Sequence, residues 1–368
     1  MKGNSIGKAL VLTCFGESHG RCVGVVIDGC PAGLPISQEE IQVEMDKRRP
    51  GLTDVSTPRR EEDTVEVLSG VYNNVTTGAP MCTLIWNRDV DSRPYELTKD
   101  KPRPGHADYP AHVRYRGFND FRGGGRFSGR ITAAYVMAGA VAKKLLGMIG
   151  IEILAHTVQI RNVKLSKQVA YEDIRRNVYQ NAVRCADPDM AEAMKEEILK
   201  ASEDGDSVGG VIEGLALNVP TGLGDPIFDT LDSDIAKAMF NIPAVKGVEF
   251  GAGFEAASIR GSQNNDQYAL REGGIVTLSN NAGGVLGGIS TGMPIAVRVA
   301  FKPTPSISKR QKTVDLKPMK ETEIKSKGRH DPCIVPRAVP VVEACLALVL
   351  ADHAMRAGEI PRVMEQLG

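Results

Sequence analysis

The sequence predicts an α/β fold in which residues 1–368 form a single domain, and three observations support this prediction. Short β-branched, apolar runs typical of strands alternate with longer segments that carry helix-capping signals. No internal repeat and no Gly/Ser-rich linker divides the chain. A hydrophobic fraction of 42% and a charged fraction of 24% are typical of a globular protein and exclude a disordered chain.

The first predicted elements are two strands and a helix. Residues 8–15 and 22–28 are apolar and rich in β-branched side chains, which favours two strands joined by a polar turn. Ser37 followed by Glu40 is a capping box, which satisfies backbone N–H groups at the start of a helix. That helix should place Arg48 at its C-terminal end.

The middle of the chain combines strands, a long loop and an apolar helix. Residues 65–71 and 81–86 read as strands, and the polar, proline-broken stretch 89–110 is predicted to be a long loop. A glycine-rich loop, 122–130, runs directly into 131–146, which is rich in Ala, Val and Leu. A buried helix should therefore begin at this loop.

The last third begins with a helix over 187–199, which Asp-Pro opens, and a strand over 208–219. A short helix is predicted over 232–240. A second glycine-rich loop at 280–288 precedes 295–301, which alternates as a strand.

The final segments are one polar stretch and one apolar helix. Residues 308–327 are polar and predicted to be mobile, whereas 338–357 predicts a helix in the core or in a subunit interface. The longest apolar stretch, 338–351, carries Glu343 and is too short to span a bilayer, so no membrane association is predicted.

Charge and cysteine content limit the possible partners. Lys plus Arg (45) equals Asp plus Glu (45), so no global charge attracts nucleic acid or anionic lipid, and an anion site must be local. Seven cysteines without a leader sequence predict reduced thiols and a cytoplasmic location. Cys14, His19 and Cys22 lie close together but lack the Cys-x-x-Cys spacing of a zinc site, so no metal is predicted.

Glycine-rich loops are the candidate ligand sites, since the chain has 39 glycines and only 5% aromatic residues. In Gly124–Arg130, glycines expose backbone N–H groups at a helix N-terminus and arginines supply donors for phosphate or carboxylate. The alternatives are a salt-bridged surface loop and an RNA-binding Arg-Gly-Gly tail. The single copy and the apolar helix that follows argue against the tail.

Residues 16–20, Gly-Glu-Ser-His-Gly, fit the Gly-x-Ser-x-Gly pattern of a hydrolase nucleophile elbow. That motif needs a helix directly after the serine, and a strand is predicted there instead. A serine esterase is therefore disfavoured. His19 remains a loop histidine, for which a functional role and a plain surface role are both open.

Two other loops bring titratable residues together. His106 lies between Arg103 and Asp108, which can orient it, although a turn histidine beside a salt bridge has the same pattern. Asp331 beside Arg329 can move a proton or can cap a helix before the following proline.

Four motifs, in this order along the chain, resemble those of chorismate synthases: Gly16–Gly29, Arg103–Asp108, Gly124–Arg130 and Arg329–Cys333. The resemblance covers most of the chain. It implies a carbon–oxygen lyase of the shikimate pathway that converts 5-enolpyruvylshikimate 3-phosphate to chorismate by 1,4-elimination of phosphate and a ring proton. It also implies reduced FMN (FMNH2) as cofactor, an α+β β-α-β sandwich with antiparallel-rich sheets and helices packed between and around them, and a homotetramer.

The resemblance also implies site residues. His19 would neutralise the departing phosphate, His106 would protonate the reduced flavin near N1, and Asp331 would draw a proton from its N5. The hydroxyls of Ser18 and Ser128 would support this relay. The implied substrate contacts are Arg48, Arg103, Arg130 and Arg329. The implied FMN contacts are Arg126, Phe127, Ser128, Ala244, Gly287, Lys302, Pro303, Thr304, Pro305, Ser306 and Arg329.

Three positions depart from the family's usual residues: Phe127, Gly129 and Asp54. Asp54 stands where many members of the family have an arginine, and Arg59 or Arg60 can take the role of that arginine. Some members reduce the flavin with NADPH, but no Gly-x-Gly-x-x-Gly fingerprint between a strand and a helix is present, which predicts an external flavin reductase. The rival functions are a serine esterase and a noncatalytic phosphate- or RNA-binding module.

Overall fold

Two five-stranded antiparallel sheets enclose a helical layer in this computed structural model, which describes residues 3–49, 55, 61–88, 90–271, 273–326 and 330–364. The strands in these ranges are β1 (Ser5–Ile6), β2 (Val11–Gly16), β3 (Cys22–Asp28), β4 (Val65–Ser69), β5 (Val71–Tyr72), β6 (Val75–Thr76), β7 (Met81–Trp86), β8 (Glu152–Ile160), β9 (Val163–Lys164), β10 (Gly210–Leu217), β11 (Val245–Phe250), β12 (Tyr268–Arg271), β13 (Gly274–Thr277), β14 (Val285–Leu286), β15 (Ile289–Ser290), β16 (Ile295–Phe301), β17 (Gln311–Asp315) and β18 (Lys320–Ile324).

The helices in the same ranges are α1 (Gln38–Arg48), α2 (Arg93–Glu96), α3 (Asp108–Tyr115), α4 (Thr132–Met148), α5 (Tyr171–Asn177), α6 (Pro188–Glu203), α7 (Leu231–Phe240), α8 (Gly261–Asn264) and α9 (Val335–Ala357). Short 3₁₀ turns cover Arg122–Phe127, Gly129–Ile131, Val178–Gln180 and Gly253–Ser258.

The first sheet has the strand order β1-β2-β3-β7-β4. Strands β3 and β7 have the bounds predicted from sequence, and Val23 pairs with Ile85 in their antiparallel register. Side chains on one face of this sheet, including Val23, Val25 and Ile27, are fully buried. The alternation of apolar residues thus gives the sheet one face that packs on helices.

The second sheet has the order β11-β16-β10-β8-β9. Along β16, residues alternate between buried and partly exposed, and Ile295, Val297 and Val299 form the buried face. Gly214 of β10 leaves room for α9, since an added Cβ would lie 3.0 Å from Val342 Cγ1.

Helices α4 and α9 pack against each other between the two sheets. Helix α4 also contacts β3 and β7 of the first sheet, while α9 contacts β8 and β10 of the second. The close approach of α4 to α9 requires Gly139, because a Cβ at this position would overlap Ala344. The predicted β-α-β sandwich of the α+β class is therefore confirmed.

Both central helices are long and apolar enough to cross a membrane. The segments concerned are Gly129–Met148, which is α4 with the 3₁₀ turn before it, and Val335–Ala357, which is α9. Of their most apolar windows, 72% and 94% are buried inside the protein. Helix α9 extends beyond the apolar stretch 338–351, which the sequence analysis judged too short to span a bilayer. Its burial against α4 and the second sheet makes it a core helix.

The capping signals act as predicted at two helices. Ser37 Oγ accepts a hydrogen bond from the Glu40 N–H at 3.2 Å, and Glu40 Oε2 accepts from the Ser37 N–H at 2.9 Å. Asp187 caps α6 by accepting from two backbone N–H groups. Local hydrogen bonds therefore fix these helix starts.

Two predicted loops contain regular structure, and these predictions were wrong. The stretch 89–110 contains α2 and the start of α3. The polar stretch 308–327 contains the β17–β18 hairpin, in which Thr313 pairs with Thr322. Polar composition concealed the hairpin because an exposed hairpin needs no apolar face toward the core.

Candidate active site

A cavity of about 890 Å³ lies where the β2–β3 turn, the loops before α3, α4 and α9, and the loop after β16 meet. Most of the site residues predicted from sequence line it, namely Ser18, His19, Arg48, Arg103, His106, Arg126, Phe127, Ser128, Arg130, Ala244, Lys302, Thr304, Pro305, Ser306 and Asp331. Segments that are far apart in the chain thus converge on one cavity.

Three predicted residues are not placed in the cavity wall. Gly287, in the β14–β15 turn, and Pro303 are outside the lining. Arg329 lies outside the described residues, as do Asp54, Arg59 and Arg60. The neighbours of Pro303, Lys302 and Thr304, do line the cavity.

Arg48 and Arg130 are buried side by side and share one carboxylate. Asp63 accepts from Arg130 Nη1 at 2.5 Å through Oδ1 and from Arg48 Nη1 at 3.4 Å through Oδ2. Glu61 Oε2 accepts from Arg130 Nη2 at 3.2 Å. Asp63 has a left-handed backbone with φ of 48°, which non-glycine residues adopt mainly where surrounding contacts require it. The sequence argument did not identify Asp63 or Glu61.

Further hydrogen bonds fix the direction of the Arg48 guanidinium. Its Nε donates to Thr132 Oγ1 at 2.9 Å and its Nη2 donates to the Gly129 carbonyl at 2.8 Å. Burial and the nearby Arg337 guanidinium lower the pKa of Arg48 to about 9, although Asp63 opposes the shift. Arg48 still carries its charge at neutral pH, and an anion in the cavity would relieve this repulsion.

Arg103, His106 and Asp108 form a hydrogen-bonded cluster, as the sequence suggested. Asp108 accepts from Arg103 Nε at 2.8 Å and approaches His106 Nδ1 at 2.6 Å. Burial would raise the pKa of Asp108, but hydrogen bonds from Arg103 and His106 outweigh it and hold that pKa well below its usual value. Ser306 Oγ accepts from Arg103 Nη1 at 3.1 Å, which ties this cluster to the loop after β16.

His19 is held by neighbours at the edge of the cavity. Its Nδ1 lies 2.9 Å from Ser92 Oγ, and its ring meets Tyr95 edge-on with centroids 5.2 Å apart. Strand β3 follows the Gly-Glu-Ser-His-Gly turn, so the helix that a nucleophile elbow requires is absent from this described segment. His19 is thus a cavity residue, and Ser18 does not have the setting of an esterase nucleophile.

The glycine loop before α4 packs closely against the His19 and His106 side chains. Gly123, Gly124 and Gly125 all have positive φ, and a Cβ on Gly124 would lie 3.1 Å from the His106 ring. Ser128 caps the following turn, because its Oγ accepts from the Arg130 N–H at 3.2 Å. The glycines therefore permit the close approach of His19 and His106 to this loop, and their binding of an anionic ligand stays a prediction.

Another part of the cavity wall combines apolar and basic side chains. Ala244, with φ of 75°, and Phe127 supply apolar surface, and Lys302 donates to the Gly105 carbonyl. Burial and the neighbouring Lys246 lower the pKa of Lys302. Thr304 lines the same part of the cavity, and its Oγ1 is buried without a hydrogen-bond partner among the described residues.

Asp331 lies at the entrance to α9, beside two residues that the sequence argument did not identify. Arg337 Nη1 donates to Asp331 Oδ2 at 2.5 Å. The N-cap of α9 is Ile334, so Asp331 is not the helix cap that was the alternative. Burial, and secondarily the positive charge of Arg103, lowers the pKa of His330 to about 4, so His330 is neutral at pH 7.

Among the residues that the structure describes, no group of three or more His, Cys, Asp or Glu side chains is arranged to hold a metal ion. All seven cysteines are free thiols.

Comparisons with known proteins agree on one family. The sequence profile described as chorismate synthase matches residues 10–355. A chorismate synthase of Dehalococcoides mccartyi strain BAV1 is 57% identical over 363 residues, which cover 99% of this chain and 100% of the relative. One of Methanosarcina barkeri is 54% identical over 365 residues, with 99% and 100% covered. A solved structure described as a crystal structure of chorismate synthase has a TM-score of 0.75 and 36% identity, and the match covers 96% of this chain and 93% of that one.

Proposed function

The chain belongs to the chorismate synthase family, and we propose that its cavity binds 5-enolpyruvylshikimate 3-phosphate together with reduced FMN. The activity is that of a carbon–oxygen lyase, which forms chorismate and phosphate in the last common step of the shikimate pathway. The observation that carries the proposal is the convergence of Arg48, Arg103 and Arg130 on the cavity that also contains His19 and His106.

The arginines bind the substrate. It carries a phosphate and two carboxylates, and guanidinium groups recognise both through paired, charge-assisted hydrogen bonds. Arg48 and Arg130 are pre-oriented by Asp63, and Arg103 by Asp108, so little side-chain freedom is lost on binding. Arg329 completes the proposed set of substrate contacts.

Phe127, Ala244, Lys302 and Thr304 are proposed to hold FMN, and basic side chains of the cavity would bind its phosphate. Further proposed contacts with the cofactor are Arg126, Ser128, Gly287, Pro303, Pro305, Ser306 and Arg329. The chemistry that reduced FMN supplies when bound is a basic N5 for the substrate's ring proton.

His19, His106 and Asp331 donate, hold and accept protons next to these two ligands. His19 donates a proton to the leaving phosphate, where negative charge develops. His106, oriented by Asp108, holds a proton on the cofactor side of the cavity. Asp331 accepts a proton at its carboxylate and passes it on, while Ser18 and Ser128 connect the two sides.

We propose that residues 1–368 act as one domain in the cytoplasm and form a homotetramer. Light scattering on the purified protein tests the tetramer through its mass. A protein of this kind would receive reduced flavin from an external reductase rather than use NADPH itself. The buried apolar helices support a soluble enzyme.

An anaerobic assay with 5-enolpyruvylshikimate 3-phosphate tests the proposed function. Chemically reduced FMN should give equal amounts of chorismate and phosphate, whereas oxidised FMN, with or without NADPH, should give neither. Phosphate without chorismate would indicate a phosphatase. The absence of products despite measured FMN binding would contradict the proposal and point to the positions Phe127, Gly129 and Asp54, where the chain departs from the family.

A further inference from the structure

Arg337 connects two parts of the cavity that approach from opposite ends of the chain. It lies in the first turn of α9 and lines the cavity. Its Nη1 donates to Asp331 Oδ2 at 2.5 Å, and its Nε donates to the Arg48 carbonyl at 3.3 Å. One guanidinium therefore bonds both the loop that carries Asp331 and the end of α1.

The position of Arg337 in its helix is electrostatically unfavourable. A cation in the first turn opposes the positive end of the helix macrodipole, and no acidic residue in that turn compensates. Asp331, just before the helix, supplies the negative partner instead. The ion pair is only partly exposed, with side-chain exposures of 26% for Arg337 and 9% for Asp331, so solvent screens it weakly.

The hydrogen bond from Arg337 to the Arg48 carbonyl satisfies a free backbone acceptor at the end of α1. Arg48 is the last residue of α1, and its carbonyl is one of those without a partner inside the helix. A guanidinium at this end is also favourable toward the negative end of the α1 dipole. The Arg48 side chain has its own bonds to Asp63, Thr132 and Gly129, so the hydrogen bond from Arg337 acts on the Arg48 backbone, while the charge of Arg337 also lowers the pKa of the Arg48 side chain.

We infer that Arg337 is a positioning residue, which fixes the Asp331 carboxylate relative to the substrate-binding end of α1. This inference rests on the proposed function, in which Asp331 moves a proton and Arg48 binds substrate. The planar guanidinium can donate in two directions at once, which a lysine ammonium on a flexible stem cannot do with the same geometry. The side chain acts through Asp331 and Arg48 and takes no part in proton transfer itself.

Two substitutions test the inference. Arg337→Ala removes both bonds and should lower kcat roughly 10²-fold, the scale expected when a reacting group is misplaced by about 1 Å. Arg337→Lys keeps the charge but only one of the two bonds, and should lower kcat roughly tenfold. Guanidinium ion added at millimolar concentrations should restore part of the activity of Arg337→Ala and none of that of Arg337→Lys.

A second measurement does not depend on turnover. Calorimetric titration of flavin-free protein with 5-enolpyruvylshikimate 3-phosphate should give a roughly fivefold weaker Kd for Arg337→Lys, because this variant keeps the positive charge in the cavity but loses the hydrogen bond at the end of α1. Binding of oxidised FMN to Arg337→Lys, followed by fluorescence quenching, should not change, because the positive charge in the cavity is kept.

Arg356→Ala is the matched control. Arg356 lies on the same helix, donates to Asp225 Oδ2 at 2.6 Å and is not part of the cavity lining. Its replacement should lower the melting temperature and leave kcat and Kd unchanged.

Three results would overturn the inference. They are a kcat within twofold of wild type in either Arg337 variant, a loss of activity in Arg337→Ala that guanidinium does not restore, and an unchanged substrate Kd. If Arg337→Ala does not fold, Arg337→Lys decides the question through its kcat. Failure of the proposed function is distinct, because wild-type protein would then form no chorismate.

Discussion

Two buried carboxylates, Asp63 and Glu61, set the arrangement of the cavity's arginines at the scale of single residues. Asp63 bridges Arg48 and Arg130 with its two oxygens, and Glu61 adds a second bond to Arg130. Side chains that recognise a substrate lose affinity when their supporting partners are left undefined. Asp63 should therefore affect substrate binding without touching the substrate.

Asp63→Asn preserves the shape of this side chain but turns one acceptor oxygen into a donor that faces a guanidinium. We expect KM for 5-enolpyruvylshikimate 3-phosphate to rise roughly 10- to 100-fold, since a hydrogen bond to a charged group contributes about 1.5–3 kcal/mol. Steady-state kinetics with saturating reduced FMN measures this change in KM.

Glu343→Gln is the control for this variant, because it breaks a largely buried pair with Lys143, 2.5 Å long, and neither residue lines the cavity. It should reduce stability with KM unchanged. An unchanged or lower KM in Asp63→Asn would show that Asp63 does not orient the arginines.

The glycine loop at Arg122–Phe127 is the element that shapes the cavity between the histidines. Its three glycines all have positive φ. A Cβ would meet the His19 ring at Gly123, the His106 ring at Gly124 and the Asp120 backbone carbonyl at Gly125. Helix α4, which follows it, anchors the loop in the core because the helix is buried along most of its length. The buried helix therefore fixes the position of the C-terminal end of the loop.

Gly123→Ala should disturb catalysis more than folding. Its added Cβ would overlap the His19 ring and lie 2.9 Å from Ser18 Oγ, and its φ of 60° adds strain of about 1–2 kcal/mol. We expect kcat to fall roughly 10²-fold through displacement of His19, measured in the anaerobic assay.

Gly150→Ala separates strain from displacement, since Gly150 has a φ of 79° and no atom within 4 Å of an added Cβ. It should lose stability but keep its kcat. Equal kcat values for the two variants would argue against a role of the loop in placing His19.

The whole molecule has no formal net charge, yet seven of its 45 Lys and Arg side chains line one cavity. Cationic side chains of the cavity lining are Arg48, Arg103, Arg126, Arg130, Lys246, Lys302 and Arg337. Their fields add inside a concave site with low-dielectric walls, which concentrates anionic ligands there. The balance of 45 basic and 45 acidic residues therefore conceals a strongly basic cavity.

Salt should weaken the encounter with the anionic substrate. Raising NaCl from about 50 to 500 mM should lower kcat/KM roughly tenfold, because the Debye length falls below the size of the cavity. Initial rates at low substrate concentration measure this effect. Sucrose at equal osmolality is the control, since it does not screen charge, and a salt-independent kcat/KM would contradict the electrostatic role of the cavity.

Local interactions explain what the sequence alone determined. Strands β3, β7 and β16, the capping box at Ser37 and the glycine loop follow from neighbouring residues, through side-chain alternation and hydrogen bonds within a few positions. The resemblance to chorismate synthases added the family and most residues of the cavity, and the family was confirmed. The individual roles of those residues stay predictions.

Tertiary structure alone decided which partners hold these residues in place. Arg337 and Arg48 are 289 positions apart, and Arg130 and Asp63 are 67 apart, so no local pattern connects them. The β17–β18 hairpin was likewise hidden, because its strands are stabilised by pairing with each other rather than by an apolar face. Sequence periodicity reports burial and local hydrogen bonding, whereas the orientation of a charged side chain depends on distant groups that folding brings into contact.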